Sequence, residues 1–287
     1  MTETPKNPAL RLRVSCFSRV GPVRGQNQDN YYVNGQCNAL SQPESDAAAK
    51  ILTDNPRMLA LFDGMGGETA GEMASLLAVQ SAGTLEKQLR ANMPAEELAQ
   101  LLNRYHATFL DTLGERIFDP SAVCGTTCVG AVLDGQRMTA FWMGDSRLYL
   151  LRGGRLRQLT RDDSAAQKMI DRGEITEEAA RKTSDWHRLT RFMGKYDAEF
   201  SLAPDLTLCP GDRLLFCSDG VTDVCTDDAL ADILCRSIGN ARRALLRIAE
   251  RDTKDNATVI LADVEAISRS GWYSNIERRF QKWLRSK

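Results

Sequence analysis

Five aspartates stand at the ends of apolar runs. Asp63 in LFDG, Asp145 in MGDS and Asp219 in CSDG each close a run, while Asp29 in QNQDNYY and Asp255 in KDNATVI each open one. Strand ends of one packed sheet system can share a rim, and five carboxylates would then meet there. Two unit charges ~4 Å apart repel by about 4 kcal/mol at an effective dielectric of ~20. Such a cluster is tolerable only if it is protonated or filled by cations. Oxygen ligands without His or Cys suit a hard divalent ion such as Mg2+ or Mn2+. Taken singly, each Asp also reads as a turn or cap residue. The glycines that follow Asp63, at 64, 66, 67 and 71, raise a nucleotide turn as a rival. Both nucleotide forms fail on spacing: GxGxxG needs glycine where Thr69 stands, and no Lys follows to make a P-loop.

The elements that must position these residues are mostly short β-like runs, at 12–20, 29–35, 58–64, 124–133, 138–145, 147–152, 155–160, 212–220 and 256–264. They are rich in β-branched or aromatic residues and end at Gly, Asp or Asn. Gly153-Gly154 predicts a hairpin turn. Helices are expected at 72–90, at 95–113, where Leu98, Leu101, Leu102, Tyr105 and Phe109 share a face, and once or twice within 226–250. Hairpin-like strands with helices set between groups of them favour a layered α+β domain over alternating βαβ. Residues 37–50 read as an exposed loop, and the charged stretch 162–200 as a mobile surface excursion.

The 287 residues suffice for one large domain, with an ordinary 43% hydrophobic content. With 37 basic and 38 acidic side chains, the balance gives no reason to expect a nucleic-acid partner. No apolar run is long enough to span a bilayer, and MTETPKNPALRLRV lacks a signal core, so the expected address is the cytosol. The eight cysteines include no CxxC pair and read as free thiols, several of them buried.

The ordered set VRGQNQDN, LFDGMGGETAGEMAS, CGTTCVGAVL, WMGDSRLYLLRGGRLRQLTRDDS, RLLFCSDGVTD and DNATVIL resembles the metal-dependent Ser/Thr protein phosphatases of the 2C type, and most of all their bacterial branch. The resemblance covers about 12–265. It implies a four-layer α-β-β-α sandwich, two antiparallel sheets flanked by helix pairs, with a two-metal site on one edge. The implied divisions are an N-terminal extension (1–11), a phosphatase domain (12–267) with a flap (162–200), and a C-terminal tail (268–287). The resemblance implies that Asp63 bridges two Mn2+ or Mg2+ ions and that the Gly64 carbonyl ligates one of them. Asp219 and Asp255 would ligate the other, and Asp29 would act through water. Asp145, with Asp219, would hold a third and weaker ion, and Arg24 would bind the substrate phosphate. The implied reaction is hydrolysis of phosphoserine and phosphothreonine by metal-activated hydroxide, without a covalent enzyme intermediate, opposing a Ser/Thr kinase. The implied partners are phosphorylated proteins, and the chain is expected to be a monomer.

Three positions depart from the family pattern: Gln28 for an acid, Glu68 for a His after DGMGG, and Asp163 for a His at the flap root. They leave no evident His beside the site, so the acid for the departing oxygen is open, with metal-bound water, Glu68 and Asp163 as candidates. His106 and His187 read as packing or surface residues. The tail SGWYSNIERRFQKWLRSK is amphipathic and basic. It is expected to pack on its own domain, the alternatives being a partner protein or an anionic membrane. A pseudophosphatase that binds without hydrolysis, and a small-molecule phosphatase on the same fold, are the competing functions.

Overall fold

Strand runs that are apolar on both faces must be covered on both faces, and that requirement sets the architecture. The structure, a computed structural model, describes residues 9–39, 44–116 and 124–267. Its strands are β1 (Leu10–Arg19), β2 (Asp29–Val33), β3 (Ser45–Leu52), β4 (Arg57–Met65), β5 (Gly125–Thr126), β6 (Cys128–Asp134), β7 (Arg137–Met143), β8 (Arg147–Arg152), β9 (Arg155–Gln158), β10 (Ser201–Leu202), β11 (Leu206–Thr207), β12 (Arg213–Cys217) and β13 (Ala257–Ala266). Its helices are α1 (Glu68–Gln88), α2 (Ala95–Arg116), α3 (Ala165–Asp171), α4 (Glu177–Ala180), α5 (Asp219–Thr222), α6 (Asp227–Leu234) and α7 (Ile238–Arg247). A π-helical turn, Ile248–Asp252, extends α7.

One sheet has the order β3-β1-β13-β12-β8-β9, and the other β10-β7-β6-β4-β2, with β11 on β7 and β5 on β4. Every pairing is antiparallel. The period of two divides each strand between two cores. Leu59 and Leu61 of β4 meet Phe216, Ile260 and Ala262 between the sheets. Ala60 and Phe62 face the other way, onto Ala78, Leu102 and Phe109 of α1 and α2. On the opposite face of the sandwich, Leu215, Val259 and Leu261 pack on Leu230, Leu234 and Leu245 of α6 and α7. The expected α-β-β-α sandwich is therefore the observed one. Gly153 and Gly154 (φ 57° and 78°) make the tight β8–β9 turn, a conformation that disfavours residues with a Cβ.

The expected loop at 37–50 is corrected in its second half. Residues 45–52 form edge strand β3, paired to β1 from Arg11↔Leu52 to Ser18↔Ser45. Its Ala47 and Ile51 are buried while Asp46 and Lys50 are not. Strand β1 starts at Leu10, two residues inside the expected extension. The basic tail lies outside the described residues, as do residues 1–8 of that extension.

Candidate active site and metal centre

The sheet register gathers the aspartates. In β2 and β4, Asp29 is directly opposite Asp63, a cross-strand pair of like charges that a sheet ordinarily avoids. β12 pairs with β13 so that Cys217 meets Val259. Asp219, two residues past the one strand, and Asp255, two residues before the other, thus leave the sandwich at the same edge. Asp145 follows the end of β7, whose Met143 pairs with Cys128 at the start of β6. One cavity of about 1020 Å3 at this edge is lined by Arg24, Asp63, Gly64, Asp145, Asp219 and Asp255, among others. Asp29 lies beneath it, 2% exposed.

Backbone clamps fix these positions. Thr127 Oγ1 accepts from the Asp63 N–H (3.1 Å), the Thr127 N–H donates to the Asp63 carbonyl (2.7 Å), and Thr126 Oγ1 donates to the same carbonyl (3.0 Å). This is what the CGTT motif does. Thr127 Oγ1 also lies 2.7 Å from Ser146 Oγ, which ties the Asp63 strand to the residue after Asp145. At Gly64 a Cβ would stand 2.0 Å from the Gly71 carbonyl oxygen and 2.7 Å from that of Gln28, so the turn closes only with glycine there. Asn256 staples the Arg24 loop to the start of β13. Its Nδ2 donates to the Val20 and Gln26 carbonyls (2.8 Å each), and its Oδ1 accepts from the Gln28 N–H (2.9 Å).

The electrostatics are those of an anion cluster in need of cations. Desolvation first, and then Asp29, Asp219, Asp145 and Asp255, push the Asp63 carboxyl well above its ordinary range. Asp145 is pushed well up by desolvation and by Asp219 and Asp162. Asp29 is raised to about 7 by burial, although Ser218 Oγ donates to its Oδ2 at 2.7 Å. Asp29 Oδ1 is buried without any hydrogen-bond partner. An orphaned carboxylate oxygen beside four further carboxylates is a donor set that fits hard divalent cations. Arg24 Nη2 rests 2.5 Å from Asp255 Oδ2, so the guanidinium reaches the cluster, and half of its side chain stays exposed.

The family model for protein phosphatase 2C matches residues 36–250, three quarters of the chain and a span that includes Asp63, Asp145 and Asp219. This chain belongs to the protein phosphatase 2C family. The serine/threonine protein phosphatase PstP of Mycobacterium tuberculosis is 31% identical over 262 residues, covering 89% of this chain and 45% of its own length. The chain thus spans about half the length of that relative. The protein phosphatase PhpP of Streptococcus pneumoniae is 30% identical over 265 residues, covering 88% of this chain and 98% of its own. A crystal structure of M. tuberculosis PstP matches the fold with a TM-score of 0.73 at 30% identity, covering 89% of this chain and all of that one. A crystal structure of the PstP catalytic domain in complex with two manganese ions matches at 0.72, also at 30% identity, covering 89% of this chain and 99% of that one.

Against that family background, the site corrects the sequence reading at two places. His187 is not remote from the chemistry: it lines the same cavity, with Nδ1 3.6 Å from Asp219 Oδ2 and 3.8 Å from Asp223 Oδ2. Asp219, and then Asp223 and Asp145, raise its pKa to about 9 against the cost of burial. The flap delivers it by docking. Trp186 Nε1 donates to Asp223 Oδ1 (2.9 Å), Arg181 Nη1 donates to the Thr222 carbonyl (2.8 Å), and the Arg181 guanidinium lies 4.6 Å from the Trp186 ring centroid. Asp223 is therefore a site residue too, though no strand end marked it. Within residues 162–200, expected as a surface excursion, lie α3 and α4.

The second correction is Asp163, which does not face the cavity as a spare acid. Its Oδ2 accepts from the Gly144 N–H (3.0 Å) and its Oδ1 from Arg191 (2.6 Å), so it clamps the flap root behind Asp145. Gln28 Nε2 donates to the Gly67 carbonyl (2.5 Å) and so braces the glycine turn. Glu68 begins α1, and its side chain lies outside the described residues. His106 is a packing residue as expected. It is buried, with Gly194 N–H donating to Nε2 (3.2 Å) and Nδ1 3.1 Å from the Ala198 carbonyl.

Proposed function

We propose that this chain hydrolyses phosphoserine and phosphothreonine monoesters in proteins, with two Mn2+ or Mg2+ ions held by Asp63, the Gly64 carbonyl, Asp219 and Asp255. The observation that carries the reading is the convergence of Asp29, Asp63, Asp145, Asp219 and Asp255 at one edge of the sandwich, with a buried Asp29 oxygen left unpartnered. When bound, such cations lower the pKa of a water and neutralise a phosphate dianion. Asp29 supports the centre from beneath, through Ser218 and through water, and Asp145 with Asp219 forms a further, peripheral position. Arg24 presents a planar fork to the phosphate oxygens. It exchanges its contact with Asp255 for one with substrate. Lys254 also lines the cavity and adds a cationic group beside the incoming phosphate, and His187 lines it from the opposite chain segment.

The retained carboxylates disfavour a pseudophosphatase. Among the described residues no helix is long and apolar enough to cross a membrane. The finer setting of this reading is a monomer in the cytosol that opposes a Ser/Thr kinase.

The test is phosphate release from a phosphothreonine peptide with Mn2+, compared with phosphotyrosine and small phosphomonoesters, in wild type, Asp219→Asn and Arg24→Ala. Turnover is expected to vanish with EDTA and to favour phosphothreonine. Asp219→Asn should lose roughly 10²-fold or more in kcat and recover partly at high Mn2+. Arg24→Ala should raise KM without metal rescue. Full activity in metal-stripped protein, or metal rescue of Arg24→Ala instead of Asp219→Asn, overturns the assignment.

A further inference from the structure

Away from the carboxylate edge, α7 carries charge that the fold does not compensate. Its Ala241 and Leu245 are buried against the first sheet, and Arg242 turns inward over the Phe17 ring and pairs with Asp46. The outer positions are Asn240, Arg243 and Arg247, with Arg236 four residues before Asn240. Asn240, Arg243 and Arg247, at i, i+3 and i+7, share one face of α7, and Arg236 joins them from the link before the helix. They wall a groove of about 470 Å3 whose floor is Ile233, Ala244 and Ile248.

Among the described residues, Arg236, Arg243 and Arg247 form no salt bridge, although neighbouring Arg213 and Arg242 both do. Like charges at i and i+4, as at Arg243 and Arg247, repel along a helix face. The helix dipole rewards Arg247 in the last turn but offers nothing to Arg243 in mid-helix or to Arg236 outside it. The arrangement is unfavourable for the isolated domain and favourable for one that meets an anion.

The groove and the candidate active-site cavity share one acidic wall residue. Asp252, at the end of the π turn, lines both the groove and the metal-centre cavity. Lys254, two residues on, is exposed and lines the cavity beside Asp255. From Arg247 to Asp255 the chain runs through about 7 Å of helical turn and at most about 10 Å of extended backbone. An extended peptide at about 3.3 Å per residue covers that in roughly five residues.

We propose that this groove is a docking subsite for an anionic segment of the phosphoprotein substrate itself, acidic or carrying a second phosphate. That segment lies about four to six residues from the phosphoserine or phosphothreonine under attack. The proposal rests on the phosphoprotein phosphatase reading above. The mixed lining, an apolar floor between guanidinium walls, suits an extended peptide with alternating apolar and anionic side chains better than a bare small phosphate.

The experiment uses the full chain with saturating Mn2+ and a set of phosphothreonine peptides. Each carries a second phosphothreonine, or a Glu triplet, at two, five or ten residues from the first, on either flank. p-Nitrophenyl phosphate is the reference substrate. Wild type is expected to show its lowest KM at the five-residue spacing on one flank, and to lose that advantage as salt rises. Arg243→Glu with Arg247→Glu should raise KM for that peptide about fivefold to tenfold, with kcat and the p-nitrophenyl phosphate rates within about twofold. The milder Arg243→Gln with Arg247→Gln should shift KM in the same direction. A wild-type KM flat across spacings, needing no variant at all, overturns the subsite while Mn2+-dependent hydrolysis still stands. A spacing optimum that both variants leave unchanged overturns the assignment to α7. Absence of metal-dependent hydrolysis from every substrate instead sinks the phosphatase reading on which the subsite rests.

Discussion

Removing the carboxylate of Asp162 should be among the most damaging single changes outside the metal centre. Asp162 opens the flap root, and Arg147 sits two residues after Asp145. Arg147 Nε lies 3.0 Å from both Asp162 oxygens and Nη2 lies 2.6 Å from Oδ2, with side-chain exposures of only 5% and 7%. Asp162→Ala leaves a buried guanidinium with the Tyr149 hydroxyl (3.0 Å) and the Trp186 ring (5.7 Å to its centroid) in place of its ion-pair partner. Breaking a buried pair from one side costs about 3–5 kcal/mol, because the remaining charge keeps its desolvation penalty and loses its partner. At about 2–4 °C per kcal/mol for domains approaching this size, the melting temperature should fall by roughly 6–20 °C. The double variant Arg147→Met with Asp162→Leu removes both charges and fills the space. It should recover most of the loss, since apolar replacement of a buried pair is often neutral or better. Urea and thermal unfolding followed by circular dichroism in EDTA, which keeps metal linkage out of the comparison, would measure both. A loss below about 1 kcal/mol, the range of solvated surface pairs, would refute the reasoning. So would a double variant as unstable as the single one.

Two other changes probe the site frame and the flap contact. Gly64→Ala forces a Cβ to within 2.0 Å of a backbone oxygen that no rotamer can move, and a misplacement of about 1 Å near the chemistry is worth about 10²-fold. Mn2+-dependent turnover should fall by that order, and a variant that keeps more than a tenth of the activity would contradict the close packing. His106 is held neutral, its pKa lowered by burial, with Nε2 accepting from Gly194. Below the unfolded-state value of about 6.5 the unfolded chain takes up a proton that the folded chain refuses, so stability falls as pH drops from there towards the folded value. The difference in urea midpoint between wild type and His106→Gln should therefore shrink between pH 7.5 and 5.5. A difference independent of pH would mean that the ring is solvated.

What could be read in the sequence, and what could not, divides along physical lines. The carboxylate edge was legible because each aspartate ended or began an apolar run. Antiparallel packing then does the rest: Asp29 opposite Asp63, and the end of β12 beside the start of β13, follow from register. Strand β3 was missed because SDAAAKIL has weak β propensity, and it becomes a strand only by pairing with β1. His187, Asp223 and the true role of Asp163 were missed for a different reason. They depend on how a polar segment docks, through Trp186 on Asp223, Arg181 on the Thr222 carbonyl, and Asp163 between Gly144 and Arg191. None of these contacts has a period. The two kinds of information also serve different parts of the function. Register places the carboxylates at one edge of the sandwich, with Asp29 buried, and the backbone clamps on Asp63 hold that residue against its neighbours' repulsion. Docking of residues 162–200 brings His187 to the rim, against Asp219 and Asp223, while Arg24 reaches Asp255 from its own loop. The carboxylates proposed to hold metal, and Arg24, were thus legible, whereas His187 and Asp223 at the rim were not. On the function proposed above, differences in which phosphoprotein is chosen should concentrate in residues 162–200, the Arg24 loop and the α7 groove.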